Sequence, residues 1–430
     1  MVKMLPRSDD RHRVVIVGGG FGGLYAAKAL RDPGIEVVLV DRRNFHLFQP
    51  LLYQAATGGL SPADIAHPLR SVLKRRRNVD VLLGEVVDFD VVDRRVLLLG
   101  ESELEYDTLL VAAGAVNHYF GHADWEKHAP GLKSVEDATD IRSRVLLAFE
   151  AAEREPDPAR RAAHLTFIVV GGGPTGVELA GALGEIANHT LKNDFRSIRP
   201  SDAKILLVEG ADRLLLAYKP RLAERAARDL AAIGVTVRTS TLVDAIDATG
   251  ATLRSGESIE RVEAGAVIWA AGVRASPLAE ALARATGVTP DRQGRVPVEV
   301  DLTVAGAPNV FVIGDMAACK GQDGKPLPGV APVAIQQGDY VARTIAARFR
   351  GDAAGPFRYR DRGSMATIGR SRAVADLGFI AYGGFAAWVT WLFIHLMYLV
   401  EFENRVLVLF QWSWNYFTWN RGARLITNGK

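Results

Sequence analysis

Three glycines, Gly18, Gly20 and Gly23, follow a short apolar run and open a segment with helical periodicity. Their G-x-G-x-x-G spacing suits a dinucleotide. The first glycine permits a sharp turn, the second lets a pyrophosphate approach the backbone, and the third lets the helix pack closely on the sheet. The phosphates would lie at the helix N-terminus, where free N–H groups favour anions. Asp41 follows at the end of the next apolar run, where a carboxylate binds ribose hydroxyls. The segment therefore predicts a dinucleotide site rather than an unliganded glycine-rich turn.

The same arrangement recurs further along the chain at Gly171, Gly173 and Gly176, with Glu209 closing the following apolar run. The 33 residues from Gly176 to Glu209 exceed the usual spacing of roughly 20. The polar stretch 188–202 is interpreted as an insertion that accounts for the excess. A carboxylate at this position repels a 2′-phosphate, so the sequence favours NADH over NADPH.

Two such sites in one chain favour two dinucleotides that face each other, one a bound flavin and the other an exchanging nicotinamide. The stretches VAAGA (111–115) and VIGDMA (312–317) support a flavin. The second resembles the junction at which an aspartate, here Asp315, reaches the ribityl chain. Capping the next helix is an alternative role for Asp315 that is compatible with the first.

Strand-like and helix-like segments alternate, which is typical of a parallel sheet covered on both faces. Strands are predicted at 13–17, 36–41, 204–210, 235–239, 265–270 and 307–315, with several short ones within 81–111, and a helix at 137–153. The expected fold is α/β, with two Rossmann-like dinucleotide-binding domains and a C-terminal amphipathic, membrane-associating segment. The predicted domains are 1–125 and 289–370 for FAD, 126–288 for NADH, and 371–430 for the C-terminal segment, with a polar linker at 153–161.

Composition excludes several classes of protein. The single cysteine, Cys319, forms no internal disulfide, redox dithiol, thiolate metal site or iron–sulfur cluster, so no metal is expected. It is interpreted as a small buried filler. The net charge of +3 argues against nucleic acid as the main partner. The polar N-terminus predicts no signal peptide and hence a cytoplasmic location.

Beyond these patterns, the chain resembles the type II NADH:quinone oxidoreductases, a branch of the flavoproteins with two dinucleotide-binding domains. The motifs that carry the resemblance are NFHLFQPLLYQAATGGL (44–60), GGGPTGVELAG (171–181), WAAGV (269–273), VIGDMA and APVAIQQG (331–338), together with the C-terminal FENRVLVLFQWSWNYFTWNRGARLI. They extend over nearly the whole chain. The implied activity is non-proton-pumping transfer of two electrons from NADH through FAD to a membrane quinone, with no obligatory general base.

The resemblance also implies roles for individual residues. FAD would be held by Gly18, Gly20, Gly22, Gly23, Asp41, Arg42, Gly114, Gly314, Asp315 and Gln336. NADH would be held by Gly171, Gly173, Gly176, Glu209, Ala271 and Gly272. The implied catalytic residues are Glu178, Gln336 and Gln337. Glu178 would lie near the meeting point of nicotinamide and flavin, and the glutamines between flavin and quinone. The alternatives are an acid in the first turn of a helix for Glu178 and polar residues at a helix start for the glutamines.

The C-terminal segment is unusually apolar and aromatic. Residues 377–400 contain no Asp, Glu, Lys or Arg, and five of the seven tryptophans fall in the last 43 residues. The segment is long enough to span a bilayer. However, the glycines at its start and the arginines beyond it favour a segment that lies in the membrane interface. Trp388, Trp391, His395 and Tyr398 share one helical face, which is either that interfacial face or a core or dimer face. The run KRRR (74–77) is interpreted as a solvated charge run rather than a lipid contact.

The expected partners are NADH, a membrane quinone, the bilayer surface and a second copy of the chain in a homodimer. The expected location is peripheral, on the cytoplasmic face of the cell membrane. The sequence leaves two alternative functions open. One is a soluble NAD(P)H:acceptor flavin reductase, and the other is a non-enzymatic flavoprotein that senses NADH.

Overall fold

A computed structural model of the chain describes residues 3–4, 11–100, 102–399, 402–418 and 421–427. Part of the N-terminus on which the absence of a signal peptide was predicted lies outside these ranges, as does Trp419. The chain forms two compact units, each assembled from three stretches. Unit 1 comprises residues 1–47, 67–116 and 273–361, and unit 2 comprises residues 48–66, 117–272 and 362–430. The four-segment domain scheme remains a prediction.

Twelve α-helices are present in the described ranges. They are α1 Phe21–Ala29, α2 Leu52–Ala56, α3 Pro62–Ile65, α4 Leu69–Leu73, α5 Val135–Arg154, α6 Pro158–His164, α7 Pro174–Glu185, α8 Pro220–Ala231, α9 Leu278–Thr286, α10 Ala331–Phe349, α11 Phe385–Tyr398 and α12 Phe402–Thr418. Short 3₁₀ turns occur at Gln49–Leu51, Ala123–Trp125, Pro200–Asp202 and Gly314–Met316, and a π-helical turn at Ile186–Thr190.

The strands are mostly short. They are β1 Lys3–Met4, β2 His12–Val17, β3 Ile35–Asp41, β4 Phe45–Leu47, β5 Ala66–Pro68, β6 Val79–Leu83, β7 Val86–Asp90, β8 Arg95–Leu98, β9 Ser102–Glu105, β10 Thr108–Val111, β11 Ala115–Asn117, β12 Thr166–Val170, β13 Lys204–Val208, β14 Val235–Arg238, β15 Leu242–Asp247, β16 Gly250–Ser255, β17 Ser258–Glu263, β18 Ala266–Trp269, β19 Val273–Ala275, β20 Val296–Pro297, β21 Thr303–Val304, β22 Ala307–Val312, β23 Ala317–Ala318, β24 Ser364–Gly369, β25 Arg372–Asp376 and β26 Ala381–Gly383.

Unit 1 is built on a six-stranded sheet of order β21-β22-β10-β2-β3-β6. All neighbours in it run parallel except β21 and β22. The central strands are buried except for one end residue each in β2 and β3, which explains why they read as continuous Val/Ile/Leu runs rather than as alternating patterns. Helices α1 and α10 pack so closely that a Cβ added to Gly338 would lie 2.3 Å from the carbonyl oxygen of Gly22.

Unit 2 repeats the parallel design in a four-stranded sheet of order β14-β13-β12-β18. An antiparallel sheet, β15-β16-β17, adds to its core. A second antiparallel sheet, β24-β25-β26, comes from the C-terminal part of the chain and packs on α7 and α8. A Cβ added to Gly181 of α7 would lie 1.8 Å from the carbonyl oxygen of Ile368, so this helix and β24 touch backbone to backbone.

The predicted elements are confirmed with shifts of one or two residues at most ends. The predicted helix at 137–153 is α5, which begins at Val135 because Ser134 and Asp137 form a capping box. The predicted linker at 153–161 is shorter than expected, since α5 continues to Arg154 and α6 begins at Pro158. The inserted stretch 188–202 contains only single turns and no strand in the described part of the chain.

The C-terminal helices present apolar side chains outward. On α11 the exposed large residues recur every four positions, at Phe385, Val389, Phe393 and Met397. On α12 a similar stripe contains Val406, Phe410, Trp414 and Phe417. In the ranges that the structure describes, no helix is long and apolar enough to cross a bilayer.

For the face of Trp388, Trp391, His395 and Tyr398, which the sequence left as either interfacial or core or dimer, the outward, interfacial alternative is wrong. Trp391 is only 2% exposed, and Trp388 lines an internal pocket together with it. The core alternative for this face is the correct one. A helix with apolar residues on all sides offers no polar stripe that would orient it, so the periodicity alone could not decide which side faces inward.

Candidate functional site

In unit 1 the first fingerprint has the geometry that a pyrophosphate site requires. Gly18 adopts φ +104°, and a Cβ there would lie 2.5 Å from the carbonyl oxygen of Ala112. A Cβ on Gly23 would lie 1.9 Å from the carbonyl oxygen of Gly18, so the helix rests directly on the turn. Gly20 is the N-cap of α1, and a Cβ there would meet no atom within 4 Å.

The acid of this fingerprint is tied to the glycine turn. One carboxylate oxygen of Asp41 accepts a hydrogen bond from the backbone N–H of Gly19 at 2.6 Å, and the other accepts from the N–H of Arg43 at 2.7 Å. Charge-assisted bonds of this kind fix the carboxylate beside the helix N-terminus. Each oxygen keeps a free lone pair for a ribose hydroxyl.

Unit 2 reproduces these contacts in the second fingerprint. Gly171 has φ +109° and abuts the backbone of Ala270 and Ala271 at 2.7 Å from an added Cβ. A Cβ on Gly176 would lie 1.8 Å from the carbonyl oxygen of Gly171, whereas one on Gly173, the N-cap of α7, would meet no atom within 4 Å.

The carboxylate of Glu209 is held in the same way as that of Asp41. It accepts from the N–H of Gly172 at 2.6 Å and from the N–H of Ala211 at 2.8 Å. Both fingerprints therefore fit a dinucleotide. In each, the open space beside the middle glycine, the free N–H groups of the helix N-terminus and the fixed carboxylate are brought together by one strand-turn-helix unit.

The other residues predicted for FAD lie in unit 1, and one of them, Gly22, serves its packing. Gly22 is buried against the side chain of Ile313, which a Cβ there would approach to 2.7 Å. Arg42 is exposed beside Asp41, and Gly114 opens onto space free of protein atoms. Gly314 and Asp315 lie in a 3₁₀ turn. Capping is not the role of Asp315, because α10 begins only at Ala331, after Val330.

Both glutamines of the predicted pair have backbone partners in unit 1. The buried Gln337 accepts a hydrogen bond from the N–H of Gly314 at 2.7 Å, so it braces the turn that carries Asp315. Gln336 donates to the carbonyl of Arg360 at 2.9 Å and accepts from its N–H at 3.0 Å.

Ala271 and Gly272 lie in unit 2, at the carboxyl end of β18. Gly272 is exposed, and its carbonyl accepts a hydrogen bond from the N–H of His118 at 3.3 Å. The carboxyl ends of β12 and β18 are adjacent, so both residues lie beside the second fingerprint. This edge of a parallel sheet is where α/β proteins bind ligands.

Unit 2 also contains a pocket along one side of α7, from Glu178 to Glu185. Its empty space, including the open mouth, measures about 770 Å³. The pocket is lined by side chains of α2, α7, β24 and the C-terminal helices, among them Tyr53, Gln54, Glu178, Glu185, Thr367, Arg370, Trp388, Trp391, Leu392, Trp412, Asn415, Tyr416 and Arg421. Aromatic walls with a few polar groups suit a flat, largely apolar ligand.

Glu178 is one of the ionisable groups in this pocket whose pKa is strongly altered. Although its side chain is partly open to the pocket, burial raises the pKa of its carboxyl from 4.5 to about 8, against a weaker opposing effect of the Thr367 N–H at 3.4 Å. A carboxyl in this state holds a proton at neutral pH. Burial likewise lowers the pKa of His395 to about 4, so this imidazole is neutral.

One side of the pocket is closed by the last described residues of the chain. Arg421 pairs with Glu185 at 2.7 Å and also donates to the Thr57 hydroxyl at 2.9 Å. The same carboxylate accepts from the N–H of Arg370, whose guanidinium lies 3.9 Å from the ring centre of Tyr416. The ion pair between Arg421 and Glu185 is largely buried on both sides, so it gives Arg421 a defined place beside the pocket.

Sequence reasoning missed most of the pocket. Tyr53 and Gln54 lie inside a motif that was recognised as a whole, and Trp412 and Tyr416 lie inside the aromatic tail, but nothing distinguished these positions from their neighbours. Arg370 carried no recognisable signal. The interpretation of Cys319 as a buried filler is confirmed, since it is 7% exposed and burial raises the pKa of its thiol.

Comparison with known proteins agrees with both fingerprints and with the tail. Residues 12–338 match the pyridine nucleotide-disulphide oxidoreductase family, and residues 362–419 match the NDH2 C-terminal domain. The type II NADH:quinone oxidoreductase Ndh of Mycobacterium tuberculosis is 46% identical over 425 residues, which cover 97% of this chain and 91% of the relative. NdhA of the same organism is 46% identical over 427 residues, covering 97% of this chain and 90% of the relative.

Among solved structures, NDH2 of Plasmodium falciparum matches with a TM-score of 0.89 over 97% of this chain and 100% of that one. At 20% identity this likeness concerns the fold alone. The close relatives and the two family matches, which together extend over nearly the whole length, show that the chain belongs to the type II NADH:quinone oxidoreductases, within the pyridine nucleotide-disulphide oxidoreductase family.

Proposed function

We propose that this chain is a non-proton-pumping NADH dehydrogenase that passes two electrons from NADH through FAD to a quinone, and that the quinone ring binds in the pocket of unit 2. The observation that supports quinone binding at this place is the pocket itself. It is the point where the NDH2 C-terminal domain meets the helix of the second fingerprint, with aromatic walls and a carboxyl that holds a proton.

The cofactors are FAD and NADH, and we assign FAD to the first fingerprint and NADH to the second. When bound, FAD supplies the hydride acceptor and the two-electron carrier between the substrates. Asp41 and Glu209 are assigned to the ribose hydroxyls, because each carboxylate is fixed beside its glycine turn by two backbone N–H groups. Gly114, Gly314, Asp315 and Arg42 are assigned to the flavin, and Ala271 and Gly272 to NADH.

In this proposal the remaining residues position ligands and hold protons. Gln337 braces the turn of Asp315, and Gln336 links α10 to Arg360. Glu178 carries a proton at the wall of the quinone pocket, where the reduced quinone gains two protons in total. The protein thus supplies orientation and a proton source rather than bond chemistry.

We further propose that the enzyme docks on the cytoplasmic face of the membrane through the outer stripes of α11 and α12. Phe393, Phe410, Trp414 and Phe417 are each more than 60% exposed, which is unusual for a cluster of large apolar residues. Exposed aromatic rings on helices suit the depth of the lipid headgroups. A homodimer remains part of the proposal on the strength of the sequence resemblance alone.

Glu209→Gln should weaken the preference for NADH over NADPH. Repulsion between the carboxylate and a 2′-phosphate is lost, so the ratio of kcat/KM for NADH to that for NADPH should fall about tenfold, given a Coulomb energy on the order of 1–4 kcal/mol. Both kcat/KM values are expected to fall, because the amide replaces one of the two acceptor oxygens, which bond Gly172 and Ala211 separately, with an NH₂ donor, so the ratio is the readout. The exposed Glu257→Gln is the control. An unchanged ratio would contradict the assignment.

Glu178→Gln should change how stability depends on pH. Since the pKa of Glu178 is raised in the folded state, the native protein binds more protons than the unfolded chain between about pH 4.5 and about pH 8. This group therefore makes stability fall as the pH rises through that interval. We expect the Tm of the variant, relative to the wild type, to be higher at about pH 8.5 than at about pH 5. Glu257→Gln should show no such trend. A Tm difference that is independent of pH would show that Glu178 is ionised throughout.

Leu392→Trp should block the quinone pocket. Leu392 lines the pocket from α11, and the larger side chain would occupy the space for the ring. The kcat/KM for a short-chain quinone should fall about 10- to 100-fold, as expected for overpacking on the order of 1–3 kcal/mol. NADH:ferricyanide turnover should be retained. Met397→Trp, on the exposed stripe of the same helix, is the matched control. Wild-type quinone kinetics in folded Leu392→Trp would place the quinone elsewhere.

Phe410→Asp combined with Trp414→Asp should weaken binding to lipid vesicles. These exposed side chains would each lose about 1.5–3 kcal/mol of apolar transfer free energy, so partition into vesicles should fall at least about tenfold. Co-sedimentation with phosphatidylglycerol-containing vesicles measures the effect. Ile259→Asp is the control, because Ile259 is equally exposed but lies on β17. Equal vesicle binding by the double variant and the wild type would refute docking through α12.

A further inference from the structure

Tyr53 places a hydroxyl group at the wall of the pocket. It belongs to α2, its side chain is 6% exposed, and it lines the pocket together with Gln54 and Glu178. A tyrosine hydroxyl has one hydrogen to donate and can also accept. What it offers to a ligand therefore depends on which of these capacities its protein neighbours already use.

The neighbours form a chain of hydrogen bonds whose direction is fixed. The indole N–H of Trp412 lies 2.8 Å from Oε1 of Gln54, and Nε2 of Gln54 lies 2.8 Å from the hydroxyl of Tyr53. An indole N–H can only donate, so the atom facing it must be the amide oxygen. The amide N–H₂ then faces Tyr53, and it too can only donate. The orientation of the Gln54 amide is thus dictated by chemistry.

It follows that the hydroxyl oxygen of Tyr53 accepts from Gln54 while its hydrogen remains to be donated. Among the residues that the structure describes, this hydroxyl has no further hydrogen-bond partner. Burial, followed by the nearby Glu178 carboxyl, raises the pKa of Tyr53 well above its ordinary value, so the hydroxyl keeps its hydrogen. A buried donor without an acceptor loses free energy that a suitable ligand can restore.

We propose that Tyr53 donates a hydrogen bond to a carbonyl oxygen of the bound quinone, and that Gln54 and Trp412 are positioning residues that fix the direction of this donor. The inference rests on the proposed binding of quinone in this pocket. A quinone carbonyl oxygen is an acceptor only, so it matches the hydrogen that Tyr53 has left to donate.

The proposal gives the C-terminal helix a defined part in substrate recognition. Trp412 lies on α12, far along the chain from α2. Through the side-chain amide of Gln54, it determines that the Tyr53 hydroxyl accepts from Gln54 and keeps its own hydrogen to donate. Removing Trp412 would allow the Gln54 amide to rotate, and the hydrogen of Tyr53 could then be captured by the amide oxygen. The effect of Trp412 on quinone should consequently exist only while the Tyr53 hydroxyl is present.

The test compares purified FAD-loaded variants with menadione, a short-chain ubiquinone and ferricyanide as acceptors. Tyr53→Phe should raise the KM for both quinones about 3- to 10-fold, the range of one neutral hydrogen bond, and leave ferricyanide turnover unchanged. Trp412→Phe should raise the quinone KM about 2- to 3-fold. The double variant should match Tyr53→Phe alone. Tyr382→Phe is the control, because its hydroxyl bonds Thr390 outside the pocket.

A quinone KM in Tyr53→Phe within experimental error of the wild type would overturn the inference. Additive losses in the double variant would show that Trp412 acts by packing and would overturn the positioning role. The Leu392→Trp variant distinguishes failure of the Tyr53 hydrogen bond from failure of the pocket assignment. If it blocks quinone reduction while Tyr53→Phe does not, the pocket assignment stands and this inference fails. If neither changes quinone kinetics, the pocket assignment itself fails.

Discussion

Both glycine fingerprints, the proposed nucleotide sites, depend on one steric constraint, the contact between the third glycine of each fingerprint and the carbonyl oxygen of the first. An added Cβ would lie within 2 Å of that oxygen in either unit, so no other residue permits the approach. The contact seats the N-terminus of α1 or α7 directly above the end of a buried parallel strand. The free N–H groups and the positive end of the helix dipole are then held where phosphates can reach them.

The same constraint determines which side chains α7 places beside the C-terminal elements. Because Gly176 fixes the helix on its sheet and Gly181 lets β24 approach, Glu178 and Glu185 are held on the side where the C-terminal elements pack. Those elements change the chemistry of the two acids in different ways. Glu185 gains Arg421 as a partner, while Glu178 gains apolar surroundings and a raised pKa. One helix thus carries the glycine turn proposed to bind NADH and a pocket wall whose carboxyl holds a proton.

The aromatic helices α11 and α12 have an inner surface that lines the pocket and an outer surface that is exposed. The inner side of α11 and α12 supplies Trp391, Trp412 and Tyr416 to the pocket, and the outer side exposes Phe393, Phe410 and Phe417. A protein that carries electrons from a water-soluble nicotinamide to a lipid-soluble quinone needs both surfaces in one element. In the proposed function the pocket holds the quinone ring, and the exposed stripes suit contact with the lipid from which the quinone comes.

The sequence by itself determined the features that depend on local backbone geometry. Glycine spacing, a following carboxylate and buried strand runs were sufficient for the two fingerprints, because each is a single strand-turn-helix unit whose residues lie close together in the chain. The family resemblance extended this to the activity. Tertiary structure alone decided the rest. It turned the tryptophan face of α11 inward, brought Arg421 to Glu185, and joined Trp412 to Tyr53 through Gln54. These contacts link residues far apart in the chain, and an all-round apolar helix carries no pattern that says which side will be buried.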